Sequence, residues 1–265
     1  SSKYLGLPTG FSMVDEMAQG FQPTDLTTVA ARSSAGKSSY FGSVIANNII
    51  RDSSKHILVF SLEMSKHQLV QRLISAISFV DFHKIKIGKL TDFEWARVLY
   101  AIDLLKSSNV FIDDTAGINL LQLQSKINSY KMEYGAIDLV VVDYLQLMTP
   151  VKNNGSRVND VGEISRGLKL IAKTLEIPLL TLSQLSRAPE QRLDHRPVLS
   201  DLRDSGTIEN DSDNVMFLYR EELYNKTIEN RNVAELIIAK QRNGPIGTAH
   251  LAFIKEFVRF MDVKV

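Results

Sequence analysis

The stretch Ala31-Arg-Ser-Ser-Ala-Gly36-Lys37-Ser38-Ser39 sits between an apolar run and a helical pattern. It matches the phosphate-loop pattern G-x-x-x-x-G-K-[ST], with Ala31 where the first glycine usually stands. Such a loop wraps a polyphosphate with backbone N–H groups, here those of Ser34, Ala35, Gly36 and the first helical residues through Ser39. Gly36 lets the backbone come close. Lys37 has the reach and charge for the β- and γ-phosphates, and the Ser38 hydroxyl suits Mg²⁺. A serine-rich turn before a helix would also read this way, but a strand and a helix on the correct sides favour phosphate.

Two carboxylates could complete that chemistry. Asp143 ends the apolar run Asp138-Leu-Val-Val-Val-Asp143, and open α/β sheets bind ligands at the carboxyl ends of their strands. It is placed to hold Mg²⁺, directly or through water. Glu63 follows the run 57–62 and could orient or deprotonate an attacking water. On spacing alone, Glu63 is equally a solvated strand-end residue or a first-turn residue favoured by a helix dipole.

The elements that must carry these groups alternate along the chain. Apolar runs at 26–31, 56–61, 109–113, 137–143 and 178–183 read as strands. Segments 37–50, 65–78, 91–105, 119–134 and 158–175 read as helices, with Ser65 as an N-cap and Thr91/Glu94 as a capping box. Short, continuous apolar strands separated by helices predict a parallel sheet covered on both faces. The runs 214–219, 233–240, 248–254 and 257–263 have no helices between them and predict an antiparallel extension at the C-terminal edge. The polar stretch 149–159 reads as a loop inside one domain spanning 1–265.

Composition bounds the rest. With 265 residues, 44% hydrophobic and 23% charged, the chain can bury a core without metal or disulfide staples. Its net charge of +1 excludes a globally basic nucleic-acid coater. It has no cysteine, so thiol catalysis and cysteine-held zinc are excluded. No apolar run is long enough to span a membrane.

More of the chain carries a family resemblance. Gly10-Phe11, Gly20-Phe-Gln-Pro-Thr-Asp-Leu26, the 30–38 loop, Phe60-Ser-Leu-Glu-Met64, Val142-Asp-Tyr-Leu-Gln-Leu-Met148 and Glu163-Ile-Ser-Arg166 contribute to it. Its most specific blocks are Ser183-Gln-Leu-Ser-Arg187, Ser200-Asp-Leu-Arg-Asp-Ser-Gly206 and Ala239-Lys-Gln-Arg-Asn-Gly-Pro245. Together they resemble the C-terminal, RecA-like motor domain of the DnaB family of replicative DNA helicases, whose members commonly have Ala at the Ala31 position. The departures are Ser33 for the usual Pro, Ser38 for Thr and Asp204 for Glu.

The resemblance implies an α/β, RecA-like P-loop core using ATP and Mg²⁺. It makes Glu63 the carboxylate that polarises water, Asp143 the Walker-B acid and Gln184 the γ-phosphate sensor. Arg242 becomes an arginine finger with Lys240 as its companion, both reaching a neighbouring subunit's ATP. Arg203, Asp204 and Gly206 match a loop that holds single-stranded DNA in the channel of a homohexameric ring. Lys152 and Arg157 read as ordinary surface charges. The family translocates 5′ to 3′ in the cytoplasm, and primase and a helicase loader are implied partners. Its N-terminal domain and linker helix have no counterpart here, so the chain is expected to be a fragment. A RecA-type recombinase forming filaments, and a regulatory ATPase without a DNA partner, are the alternatives.

Overall fold

Strands β1 (Leu26–Ala31), β2 (Ile57–Ser61) and β4 (Leu139–Asp143) are buried at every position. Strands with no polar face belong inside a sheet covered on both sides. The computed structural model describes residues 3–151, 155–205, 207–225, 227 and 231–263, without the side chains of 203–205. It forms one nine-stranded sheet in the order β3-β2-β4-β5-β1-β6-β7-β8-β9. Here β3 is Val110–Asp113, β5 Leu179–Gln184, β6 Asn214–Tyr219, β7 Val233–Gln241, β8 Gly247–Ile254 and β9 Arg259–Asp262.

The five strands β1 to β5 pair in parallel. β6 also runs parallel to β1, with Thr27 opposite Asn214 and Ala30 opposite Phe217. It therefore belongs to the parallel core, and the antiparallel extension begins one strand later than its sequence suggests. The burial pattern gives the reason: β6 is almost continuously buried, whereas β7 alternates buried and half-buried positions. A strand open on one face suits a sheet margin.

Period-two alternation divides the core. Val29, Ala31, Val59, Val141 and Leu182 point to a layer with Phe41, Ile45, Leu69 and Leu73 of α2 (Lys37–Arg51) and α3 (Lys66–Ser78). These helices follow α1 (Ser12–Ala18). Ala30, Phe60, Val140 and Val142 meet Leu123, Ile127, Ile164 and Leu168 on the other face. Those residues come from α6 (Leu120–Tyr134) and α7 (Arg157–Leu175). The short helices α4 (Phe82–Ile87) and α8 (Ile208–Asp211) were not legible as helices; α5 (Asp92–Ser107) was.

Local signals set several helix starts. Ser65 and Thr91 each accept from the backbone N–H three residues on, and the Gln68 and Glu94 side chains return the bond. Asn119 and Gln122 make a third capping box. Each supplies donors and acceptors that a helix end otherwise leaves unpaired.

Glu94 also accepts from Lys84 Nζ at 2.7 Å. That bond and the Thr91 N–H hold its carboxyl far below the ordinary 4.5, at about 2. A carboxyl with a depressed folded pKa stabilises the fold above its unfolded value and loses that contribution as the pH falls through its folded one. Glu94→Gln is therefore expected to flatten the decline in urea midpoint between about pH 4.5 and 2. Parallel pH–midpoint curves for the two proteins would remove Glu94 from the acid limb.

Candidate functional site

All parallel strands present their carboxyl ends at one edge of the sheet, and the chemistry collects there. The loop leaves β1 at Ala31, which lies opposite Gln184 at the end of β5. Asp143 ends β4 opposite Ser61 of β2, two residues before Glu63. The Leu62 N–H donates to the Asp143 carbonyl at 2.7 Å, and Ser61 Oγ donates to the Met64 carbonyl at 2.7 Å. These bonds fold the turn that carries Glu63 against the end of β4. The Asp143–Tyr144 peptide is cis.

The loop has the shape its sequence implies. Ser34 and Gly36 both have positive φ, 67° and 106°. Such a run turns successive N–H groups into one concavity at the start of α2. Only glycine takes the Gly36 conformation at little cost, and a Cβ there would lie 3.0 Å from Phe260 Cζ. A cavity of about 810 Å³ opens over the loop. Ser33, Ser34, Gly36, Lys37, Ser38, Ser39, Glu63 and Gln184 line one side. Leu223, Phe253 and Val258 line the other. The far wall thus comes from the β6–β7 and β8–β9 connections, more than 170 residues along the chain.

Charge inside this cavity is buried and only partly matched. Asp143 is fully buried; its Oδ2 accepts from Ser38 Oγ at 3.3 Å, and its Oδ1 has no hydrogen-bond partner. Burial, reinforced by the negative charge of Glu63, pushes its carboxyl up to about 7 against the pull of Lys37, Ser38 and Arg72. Lys37 is also buried; desolvation lowers its pKa, while Asp143 and Glu63 act the other way. An unpaired carboxylate oxygen beside a serine hydroxyl is a donor set for a hard divalent cation. Among the described residues no group of three acidic or histidine side chains could hold a metal. Such an ion here would therefore draw its remaining ligands from phosphate and water.

Gln184 donates from Nε2 to Ser33 Oγ at 2.9 Å, linking the end of β5 to the loop. Two further residues join the site without having been singled out from sequence. Gln146, in the 3-10 turn Leu145–Leu147, donates to Ser183 Oγ at 2.8 Å and to the Gln184 carbonyl at 3.1 Å. Arg157 NH2 in turn donates to the Gln146 carbonyl at 2.8 Å, so Arg157 is more than a surface charge. Arg72 lines the cavity; burial lowers its pKa, opposed by Glu63 and Asp143. Its only sequence signal is helical: it shares a face with Gln68, one turn nearer the Ser65 cap.

Arg242 and Lys240 lie elsewhere. Gln241 pairs with Asn214 at the amino end of β6, so both side chains belong to the opposite edge of the sheet. The offset along β6 from Asn214 to Leu218 is four residues, about 13 Å at 3.3 Å each. Arg242 is largely exposed and donates to Asp213 Oδ1 at 3.0 Å. Lys240 turns back, and its Nζ donates to the carbonyls of Glu209 at 2.6 Å and Ser212 at 2.8 Å. There it caps the C-terminus of α8. Arg203 and Asp204 fall in the 3-10 segment Leu199–Ser205, their side chains outside the description; Gly206 and Lys152 lie outside the described residues altogether.

A mainly parallel sheet with a phosphate loop after its first strand, and carboxylates at the ends of neighbouring strands, defines a RecA-like P-loop domain. The sequence profile of the DnaB-like helicase C-terminal domain matches residues 6–262, and the chain belongs to that family. It is 46% identical over 260 residues to the replicative DNA helicase DnaB of Geobacillus stearothermophilus, covering 98% of this chain and 57% of the relative. It is 45% identical to DnaB of Haemophilus influenzae, covering 98% and 56%. The chain thus spans a little over half the length of these curated relatives. Among solved structures, an ATPase domain determined on its own superposes with a TM-score of 0.94 at 39% identity, covering 100% of this chain and 94% of that one. A DnaB-like replicative helicase studied with its interactions with primase gives the same TM-score and identity, covering 98% and 63%.

Removing Lys37 should separate phosphate binding from folding. Lys37→Ala is expected to weaken binding of a fluorescent ATP analogue by about 10- to 100-fold, the worth of a hydrogen bond to a charged group. Its melting temperature should not fall, since the change relieves a buried cation. Unchanged affinity would detach the cavity from polyphosphate.

Proposed function

We propose that this chain is the motor domain of a replicative DNA helicase, hydrolysing ATP between copies of itself to move along single-stranded DNA. The observation that carries this reading is the division of the sheet. Polyphosphate-binding groups gather at one edge, while an exposed arginine that cannot serve them stands at the other. A site that needs both must draw them from two copies.

In this reading the triphosphate lies with its phosphates in the 32–39 loop. Lys37 balances charge on the β- and γ-oxygens. Glu63 orients a water for in-line attack on the γ-phosphorus and takes up its proton, as the bond to the β–γ bridging oxygen breaks. ADP and inorganic phosphate leave. A magnesium ion held by Ser38 and Asp143 would supply further neutralisation of the β- and γ-oxygens. Gln184 senses the γ-phosphate and passes its presence along β5 through the Gln146 bridge. Arg242 of a neighbouring copy meets the charge that builds on the γ-phosphoryl oxygens, a contribution of about 10³- to 10⁵-fold in rate. Lys240 supports this edge by fixing the turn before β6.

Arg203, Asp204 and Gly206 are proposed to contact the DNA backbone, tracking phosphates without reading bases. A net charge of +1 is no obstacle, because a ring brings the same loop from every copy to one axis. The assembly is a homohexamer moving 5′ to 3′, acting in the cytoplasm with primase and a loader that engage the longer protein. The recombinase alternative draws no support from the relatives, which are replicative helicases. Among the described residues no helix is long and apolar enough to cross a membrane.

Hydrolysis per subunit is expected to rise with protein concentration and to rise again with single-stranded DNA. Arg242→Ala should lower the DNA-stimulated rate by about 10³-fold or more, with nucleotide affinity unchanged. A rate indifferent to concentration, to DNA and to Arg242 would sink the proposal. Glu63→Gln is expected to bind the nucleotide normally and hydrolyse it about 10²- to 10⁴-fold more slowly; a rate equal to the parent's would return Glu63 to a solvated strand end.

A further inference from the structure

The amino-end edge of the sheet holds a charge cluster that the hydrolysis reading leaves unexplained. Asp213, the residue before β6, is 3% exposed, and its carboxylate takes three donors. The Leu26 N–H at 2.8 Å and Lys169 Nζ at 2.5 Å reach Oδ2, and Arg242 NH1 reaches Oδ1 at 3.0 Å. Lys169 is itself fixed by the Thr24 carbonyl at 2.8 Å. The Arg242 side chain, by contrast, is 68% exposed.

A long exposed arginine samples many rotamers and loses that freedom when it engages a partner. A tether to a buried carboxylate removes part of that loss beforehand. It occupies one of the guanidinium's five donors, so the fork keeps donors for a second partner. Lys169 claims the other carboxylate oxygen, so Asp213 does not neutralise Arg242 by itself. The arginine is held in place and still carries charge to offer.

We propose that Asp213 is the positioning residue of Arg242, presetting the guanidinium for the γ-phosphate of a neighbouring copy's nucleotide while Lys169 absorbs the rest of the carboxylate's charge. This rests on the reading of Arg242 as acting in trans. It adds to that reading a residue that touches neither nucleotide nor water.

The test compares Asp213→Asn, Arg242→Ala and the double variant in single-turnover hydrolysis of labelled ATP with single-stranded DNA. Melting temperature and nucleotide affinity are measured alongside. Asparagine keeps the shape and an acceptor for the Leu26 N–H. Asp213→Asn should lower the maximal rate by about tenfold, the scale of a modest misplacement, with KM within about twofold. In the Arg242→Ala background it should cost nothing more. A fall that persists in that background would show Asp213 acting through the sheet and overturn the proposal. So would an unchanged rate in Asp213→Asn beside a large loss in Arg242→Ala. No loss in Arg242→Ala would remove the reading in trans and the proposal with it. Should Asp213→Asn not fold, side-chain NMR of the parent decides. The Arg242 guanidinium, assigned by its disappearance in Arg242→Ala, should show restricted rotation about its C–N bonds. Rotation as fast as that of a free arginine would overturn the tether.

Discussion

Lys37 and Asp143 are drawn out of water at the same end of the sheet, and the chain does not complete the surroundings of either. Leaving a buried polar group unmatched costs about 1–3 kcal/mol, more when it is charged. The Asp143 carboxylate has one serine hydroxyl and an orphan oxygen. The elements around it make that tolerable: fully buried β1, β2 and β4 fix the strand ends, and the loop turns at Ser34 and Gly36. A polyphosphate with its cation would satisfy both groups at once. The site is thus rigid in its scaffold and incomplete in its charge, the combination that lets binding energy be concentrated on one ligand class.

The antiparallel extension has two ends with different tasks. Where β8 and β9 meet, Phe253 and Val258 wall the chain's own cavity. Where β7 runs out, Lys240 and Arg242 meet the buried Asp213 and the turn before β6. Both tasks follow from strand direction. Once β6 joins β1 in parallel, every later antiparallel strand must shuttle between the two edges. The extension therefore touches the nucleotide side and the opposite side within about 20 residues.

Much of this was legible because it is local. The phosphate loop, the Ser65 and Thr91 caps and the nine apolar runs depend on residues within a few positions of one another. What was not legible depends on distant partners. The run 214–219 looks the same whether it pairs parallel or antiparallel; the vacant edge of β1 decides. Arg72 enters the cavity because of the angle at which α3 leaves Glu63. Lys240 has a long, flexible stem, and only the carbonyls exposed at the end of α8 show why it turns back rather than outward. The Gln146 bridge needs two strand ends to lie side by side.

The separation of the phosphate loop from Arg242 has a consequence in counting. With donor and acceptor halves at opposite edges of one sheet, copies can join only head to tail. An open row then always has one loop with no arginine and one arginine with no loop, so complete sites number one fewer than copies. Closing the row into a ring removes both loose ends, and sites equal copies. For six subunits closure would turn five working sites into six, and every subunit would become at once a consumer of nucleotide and a regulator of the next.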